Sequence, residues 1–230
     1  MQHKLILQIE TATTACSVSL AQDGQTIALK EESERNIHAT HLTLFIDEVM
    51  RIAGKNYQDL DAIAVSMGPG SYTGLRIGIS TAKGLCYALD KPLIAINTLI
   101  AMSAGLLSKH SFSESTLLCP MIDARRMEVY STLTDTNLNI IESTQAKILD
   151  EHTFDKYLTQ YDLVFFGDGA EKCKLLYQTK PKVTFLDFQN SSAHLSELSF
   201  QKLIAGQTED VAYFEPFYLK DFMVTQAKKA

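Results

Sequence analysis

Between Met67 and Asp90 the chain reads MGPGSYTGLRIGISTAKGLCYALD, a Gly-Pro-Gly turn followed by a helical pattern with glycines four residues apart. Gly70, Gly74, Gly78 and Ala82 share one face of a 3.6-residue helix, and Leu75, Ile79, Cys86 and Leu89 occupy the adjacent face. An interior glycine costs a helix about 0.5–1 kcal/mol relative to alanine, so a row of them implies a gain from letting another group come close.

Three motif readings of this stretch fail on spacing. A phosphate-binding loop needs lysine and a hydroxyl after its last glycine, but Gly74 is followed by Leu75 and Arg76. A dinucleotide fingerprint needs a different last gap than Gly68, Gly70 and Gly74 provide, and the next strand, Leu93 to Ile96, ends in Asn97 rather than an acid. A nucleophile elbow needs one residue between glycine and serine, whereas Gly70 adjoins Ser71. Ser71 therefore reads as a helix N-cap. Three uses remain: an anion held at the helix start, Ser71 to Thr73, a close helix-to-helix surface, or packing of the row against the chain's own sheet.

The 230 residues suffice for one large domain or two small lobes. With 21 basic and 27 acidic residues, net −6, the chain lacks the excess of positive charge that grips a nucleic-acid backbone. Cys16, Cys86, Cys119 and Cys173 form no C-x-x-C pair, and three of them fall in apolar runs, as reduced core residues do. No apolar run approaches eighteen residues and MQHKLILQIE has no signal-peptide pattern, so a cytoplasmic protein with no membrane contact is expected.

Lys4–Ile9, Cys16–Ala21 and Thr26–Lys30 read as antiparallel strands, the last two joined by an Asp23-Gly24 turn. The first connection, ETATTA, places Glu10, Thr11, Thr13 and Thr14 where backbone N–H groups and hydroxyls could surround a phosphate; an ordinary polar hairpin loop is the alternative. His38, His41, Leu42, Phe45, Val49 and Ile52 recur at helical spacing over 37–53. The two histidines lie one turn apart, with no third ligand at a persuasive spacing, which favours a packed or interface pair over a metal site. Strand Asp61–Met67, the glycine helix, strand Leu93–Ile96 and helix Thr98–Leu107 complete a mixed sheet covered by helices.

After a polar loop, Ser108–Ser115, the order repeats in abbreviated form. Strands are expected at Thr116–Ile122, Met127–Thr134 and Ile140–Leu149, then a helix from about Asp150. Strand Leu163–Phe166 runs into Gly167-Asp168-Gly169 and a helix through Tyr177, and Ser191–Ala205 reads as a capped helix. The tail groups Phe214, Pro216, Phe217, Tyr218, Leu219 and Phe222, too apolar for a solvated end, so it docks on its own body or on a partner.

Several stretches together resemble the bacterial TsaB family, also called YeaZ: IETATTACSVSLA, SMGPGSYTGLRIGISTAKGL, PLIAINTL, MIDARRMEVY, GDGA and PFYLKDFMV. They cover nearly the whole chain in the right order. Met127 and Lys220 depart from the family's usual glycine and arginine.

The resemblance implies an α/β, two-lobed actin-like ATPase fold with an N-terminal lobe of 1–98 plus 191–208, a C-terminal lobe of 99–190 and a docking tail of 209–230. It implies a part in forming threonylcarbamoyladenosine beside the tRNA anticodon, as a non-catalytic paralogue that pairs with and activates TsaD. TsaE completes the complex, and tRNA is reached indirectly. The catalytic relatives bind metal through two histidines after the strand matching Pro92–Ile96; here NTLIAMSAG offers Asn97, Thr98, Met102 and Ser103 instead. Where a glycine-rich phosphate loop is expected stands Asp123-Ala124-Arg125-Arg126, so the resemblance implies no metal, no catalytic residue and no nucleotide held by the chain alone. Whether ATP or ADP sits at the interface of the complex is left open.

The resemblance also favours the helix-to-helix use of the glycine row. His38, His41, Leu42, Phe45, Tyr72, Gly74, Leu75 and Gly78 are then the expected dimer surface, shared with TsaD or with a second copy at high concentration. On that expectation, bulk at Gly74 or Gly78 spares the fold and abolishes pairing. The competing readings are a stand-alone ATPase, sugar kinase or metallopeptidase of the same fold, and a chaperone-like partner that only keeps TsaD soluble.

Overall fold

The computed structural model describes residues 3–34 and 37–220. Two five-stranded mixed sheets form, each covered by helices, as the alternation of apolar residues predicts. The first is built from β1 (Leu5–Glu10), β2 (Ala15–Gln22), β3 (Gln25–Ser33), β4 (Ala62–Gly68) and β5 (Leu93–Asn97), in the order β3-β2-β1-β4-β5. The first three are antiparallel neighbours, and β4 and β5 add in parallel beyond β1. The second contains β6 (Thr116–Asp123), β7 (Glu128–Thr134), β8 (Ile140–Ile148), β9 (Asp162–Phe166) and β10 (Val183–Leu186), in the order β10-β9-β6-β7-β8. Counted from its own first strand, this is the order of the first sheet, so the abbreviated repeat legible in the sequence is a full structural duplication.

The central strands are buried on both faces, since successive side chains point to opposite sides and helices cover each, while the edge strands β3 and β8 stay largely exposed. Leu5, Leu7 and Ile9 of β1 enter one core with α1 (His38–Ile52) and α2 (Tyr72–Leu89), while Ile6 enters another with Ala62, Ala64 and Ile94. In the second sheet Leu117, Cys119 and Met121 pack under α4 (Asp155–Leu158) and α5 (Glu171–Tyr177), whereas Leu118, Ile122, Val164 and Phe166 face α3 (Thr98–Leu107). Helix α3 serves both sheets: Ala101 joins the first, and Leu99, Met102 and Leu106 join the second. Ser192–Leu195, a 3-10 turn capped by Ser191, leads into α6 (Ser196–Ile204) and buries Leu195 against the first sheet.

Two elements differ from expectation. The helix expected from Asp150 is delayed to Asp155, because Asp150 closes a local turn by accepting hydrogen bonds from the His152 N–H and the Thr153 hydroxyl. Strand β10 is unannounced: four residues at the edge of a sheet carry too short an alternation to detect.

The glycine row requires a correction. Helix α2 starts where expected, with Ser71 Oγ accepting the Gly74 N–H at 3.2 Å. The row, however, faces inward, onto the loop between β1 and β2. A Cβ on Gly70 would land on the Ala12 carbonyl, one on Gly74 on the Thr11 carbonyl and one on Gly78 on the Thr11 hydroxyl. The bare strip is sealed by Ala12 and Thr11 of the chain's own loop, by main chain at Gly70 and Gly74 and by the Thr11 side chain at Gly78, so no second helix can approach Gly74 or Gly78. Gly84 is different: it is exposed, with nothing within 4 Å of a Cβ built there.

The two environments predict opposite signs on one helix. Gly74→Ala forces a carbon onto a main-chain oxygen that cannot rotate away, and we expect a loss of about 1–3 kcal/mol despite the gain in helix propensity. Gly84→Ala should stabilise by about 0.5–1 kcal/mol. Urea unfolding of the two variants beside the parent chain checks both.

Candidate functional site

A cleft of about 1120 Å³ opens where the C-terminal ends of β1 and β4 face the matching end of β6. One wall is the β1–β2 loop, the turn before α2 and the first turn of α1; the other is the β6–β7 loop; the tail crosses the mouth. Strand ends bordering a switch in sheet order are where α/β folds place ligands.

The β1–β2 loop is fixed from beneath. The Ala12 carbonyl accepts the Ser71 N–H at 2.6 Å and the Thr11 hydroxyl donates to the Gly74 carbonyl at 2.8 Å. Of the four phosphate-loop candidates, Thr13 and Thr14 line the cleft. Thr11 and Glu10 are buried under it. Glu10 accepts the Ala12 N–H at 2.6 Å; burial pushes its carboxyl up to about 7, outweighing the hydrogen bonds from Ala12, Ser66 and Thr11 that pull it down.

Across the cleft, Arg125 and Arg126 both adopt left-handed backbone, φ 67° and 52°, a conformation that costs a side-chain-bearing residue about 1 kcal/mol or more. Asp123 holds the loop in this shape by accepting the Arg125 N–H at 2.5 Å while Lys172 pairs with it at 2.6 Å. Both guanidinium groups are thereby presented on the rim. Behind them Asp168 accepts the Asp123 N–H at 3.0 Å, and its burial raises its carboxyl above the usual range. Glu128, Tyr130, Phe217 and Lys220 also line the cleft. All four fall in the stretches MIDARRMEVY and PFYLKDFMV that carry the resemblance, but no spacing within those stretches marks them as cleft residues; that convergence only the fold supplies.

The segment NTLIAMSAG has other duties. Asn97 caps α3, accepting the Leu99 and Ile100 N–H groups at 2.9 and 3.3 Å and donating to the Thr144 hydroxyl at 3.1 Å. Thr98 bonds Ser66 at 2.6 Å and accepts the Gly68 N–H at 3.1 Å. Met102 fills the core between α3 and the second sheet, and Ser103 is buried.

The expected dimer surface is corrected along with the glycine row. His38, Leu42, Phe45, Gly74, Leu75 and Gly78 are buried, because the apolar stripe of a surface helix is spent on its own sheet. His38 Nε2–H donates to the Ala15 carbonyl at 3.2 Å. His41 and Tyr72 are half-buried, His41 beside the Thr40 hydroxyl at 2.7 Å and Tyr72 stacked on Tyr218 at 4.8 Å. The outer faces of α1 and α2, two helices in contact, instead expose Leu44 (59%) and Ile52 (53%) on α1 and Tyr87 (87%), one turn from the open Gly84, on α2. Among the described residues no group of three His, Cys, Asp or Glu is arranged to hold a metal, and no helix is long and apolar enough to cross a membrane.

The family model described as TsaD, tRNA N6-adenosine threonylcarbamoyltransferase, matches residues 31–224. The Escherichia coli tRNA threonylcarbamoyladenosine biosynthesis protein TsaB is 39% identical over 94% of each chain. The chain belongs to the TsaB family. Kinship with the transferase itself extends to 26% identity with that of Clostridium perfringens, over 92% of this chain and 69% of the relative. YeaZ from Pseudomonas aeruginosa superposes with a TM-score of 0.76 at 24% identity, covering 95% of this chain and all (100%) of that one, which bears on fold. The fold is thus the one YeaZ has, two mixed sheets covered by helices, and the TsaB family has its role in tRNA threonylcarbamoyladenosine biosynthesis.

Glu10 gives the site a pH signature. Its folded-state value near 7 lies above the unfolded 4.5, so the folded protein binds the extra proton between them and stability falls as pH rises through that window. The parent chain should lose about 3 kcal/mol of unfolding free energy between pH 4.5 and 8 that Glu10→Gln does not lose. Denaturant melts of both proteins across that range measure the difference.

Proposed function

We propose that this TsaB-family chain is a non-catalytic subunit of the tRNA threonylcarbamoyladenosine-forming complex. It pairs with TsaD through the outer faces of α1 and α2, activates threonylcarbamoyl transfer, and works in a complex completed by TsaE. The observation that carries the pairing is the exposure of Leu44 and Ile52 on α1 and of Gly84 and Tyr87 on α2, two adjacent helices whose other faces are already buried. Exposed apolar side chains, a large aromatic among them, and an open glycine suit an approaching helix. The non-catalytic reading is supported by the employment of Asn97, Thr98 and Met102 in capping, bridging and core packing. On this reading ATP or ADP is met only at the interface of the complex, and tRNA only through the partner.

The test is co-elution with purified TsaD and reconstitution of tRNA modification. Leu44→Asp with Tyr87→Asp, and separately Gly84→Leu, should leave the chain folded, the second no less stable than the parent, while lowering pairing at least tenfold and removing the activation of TsaD. Unaltered co-elution by both variants overturns the surface, and nucleotide hydrolysis by the purified chain alone overturns the non-catalytic reading.

A further inference from the structure

The two sides of the cleft are closed by different forces. On the inner side, α3 is shared by both sheets, with Ala101 among Ile94 and Ile96 and with Leu99, Met102 and Leu106 among Leu118, Ile122 and Phe166. Parting the sheets there would expose apolar core. Across the mouth runs the tail, anchored to the first lobe by several independent contacts. Lys83 donates to the Ala212 and Phe214 carbonyls at 3.2 and 3.0 Å, and the Phe217 N–H donates to the Met67 carbonyl at 2.8 Å. Phe214 and Tyr218 pack against the core under α2, and Tyr218 stacks on Tyr72, whose ring also carries the Arg76 guanidinium at 4.6 Å. Gly68 makes room for this, since a Cβ there would stand 2.7 Å from the Phe217 carbonyl oxygen.

At its far end the tail reaches the second lobe. The Lys220 ammonium pairs with the Glu128 carboxylate and lies 5.9 Å from the Tyr130 ring centroid. Both members of the ion pair are partly exposed, at 36% and 23%. Such a pair is screened by salt and readily parted, whereas stacked rings and main-chain hydrogen bonds are insensitive to ionic strength.

We infer that residues 211–220 form a strap across the cleft, permanently seated on the first lobe and releasable from the second, with Lys220–Glu128 as the latch that limits how far the lobes open. Release swings the β6–β7 loop, with Arg125 and Arg126, away from Thr13 and Thr14, while α3 acts as the hinge. The strap is a property of the chain by itself and stands apart from the pairing reading.

Cys16, Cys86, Cys119 and Cys173 are all buried, so spin labels can be directed in the full chain to Thr14→Cys, which lines the cleft on the first lobe, and Met127→Cys, exposed in the β6–β7 loop of the second. Double electron–electron resonance then reports the opening. Lys220→Glu and Glu128→Lys should each move the distance distribution to longer values, as should high salt in the parent. The charge-swapped double variant should return it to the parent's, and Lys220→Met, which keeps the stem without the charge, should match the single charge reversals. Melting transitions like the parent's establish that the variants are folded. Single variants with the parent's distribution, or a double variant that stays open, overturn the latch.

Discussion

Main-chain contact between the β1–β2 loop and the first two turns of α2 is the constraint on which the cleft depends. Ala12 and Thr11 lie against Gly70, Gly74 and Gly78 so closely that no side chain fits between them. The contact is hydrogen-bonded as well as close, through Ala12 to Ser71 and Thr11 to Gly74. The loop therefore cannot move without α2. Its outer residues, Thr13 and Thr14, are held at the rim, and Glu10 is shut beneath, where loss of water favours its protonated form. The cost of interior glycine in α2 is offset within the same lobe rather than in an assembly.

Duplication of one sheet order in two lobes sets equivalent strand ends facing each other, and the chain equips the two ends differently. The first presents hydroxyls and a helix start; the second presents two arginines on strained backbone held by Asp123. Helix α3 keeps the ends in register because its two sides are committed to two cores. The tail adds a second crossing, so the geometry of the cleft is defined on both flanks.

Much of this architecture was legible in the residues. Period-two and period-3.6 patterns mark most strands and helices to within a residue or two, as with Thr98–Leu107, which forms as read. Asp23-Gly24 has the positive φ values, 51° and 80°, that its turn requires. Strand β10 and the start and shortness of α4 were obscure, since four-residue elements owe their existence to neighbours rather than to pattern. Within the candidate site, Thr13, Thr14, Arg125 and Arg126 could be singled out in advance; Glu128, Tyr130 and Lys220 fall in stretches that carry the resemblance, but their convergence could not be read, because they come from segments nearly a hundred residues apart.

By itself the sequence determined that a row of glycines on one helix must meet something at backbone distance, that Ser71 begins this helix, and that the aromatic tail must dock. Which neighbour answers each demand was decided by tertiary structure alone. Periodicity names the face of a helix but not what lies across from it. Leu42, Phe45 and Leu75 sealing a core and the same residues sealing a dimer would be written identically. The first sheet claims that face because its own strands arrive there within the same chain, at no cost in association entropy, and what remains for a partner is the opposite side.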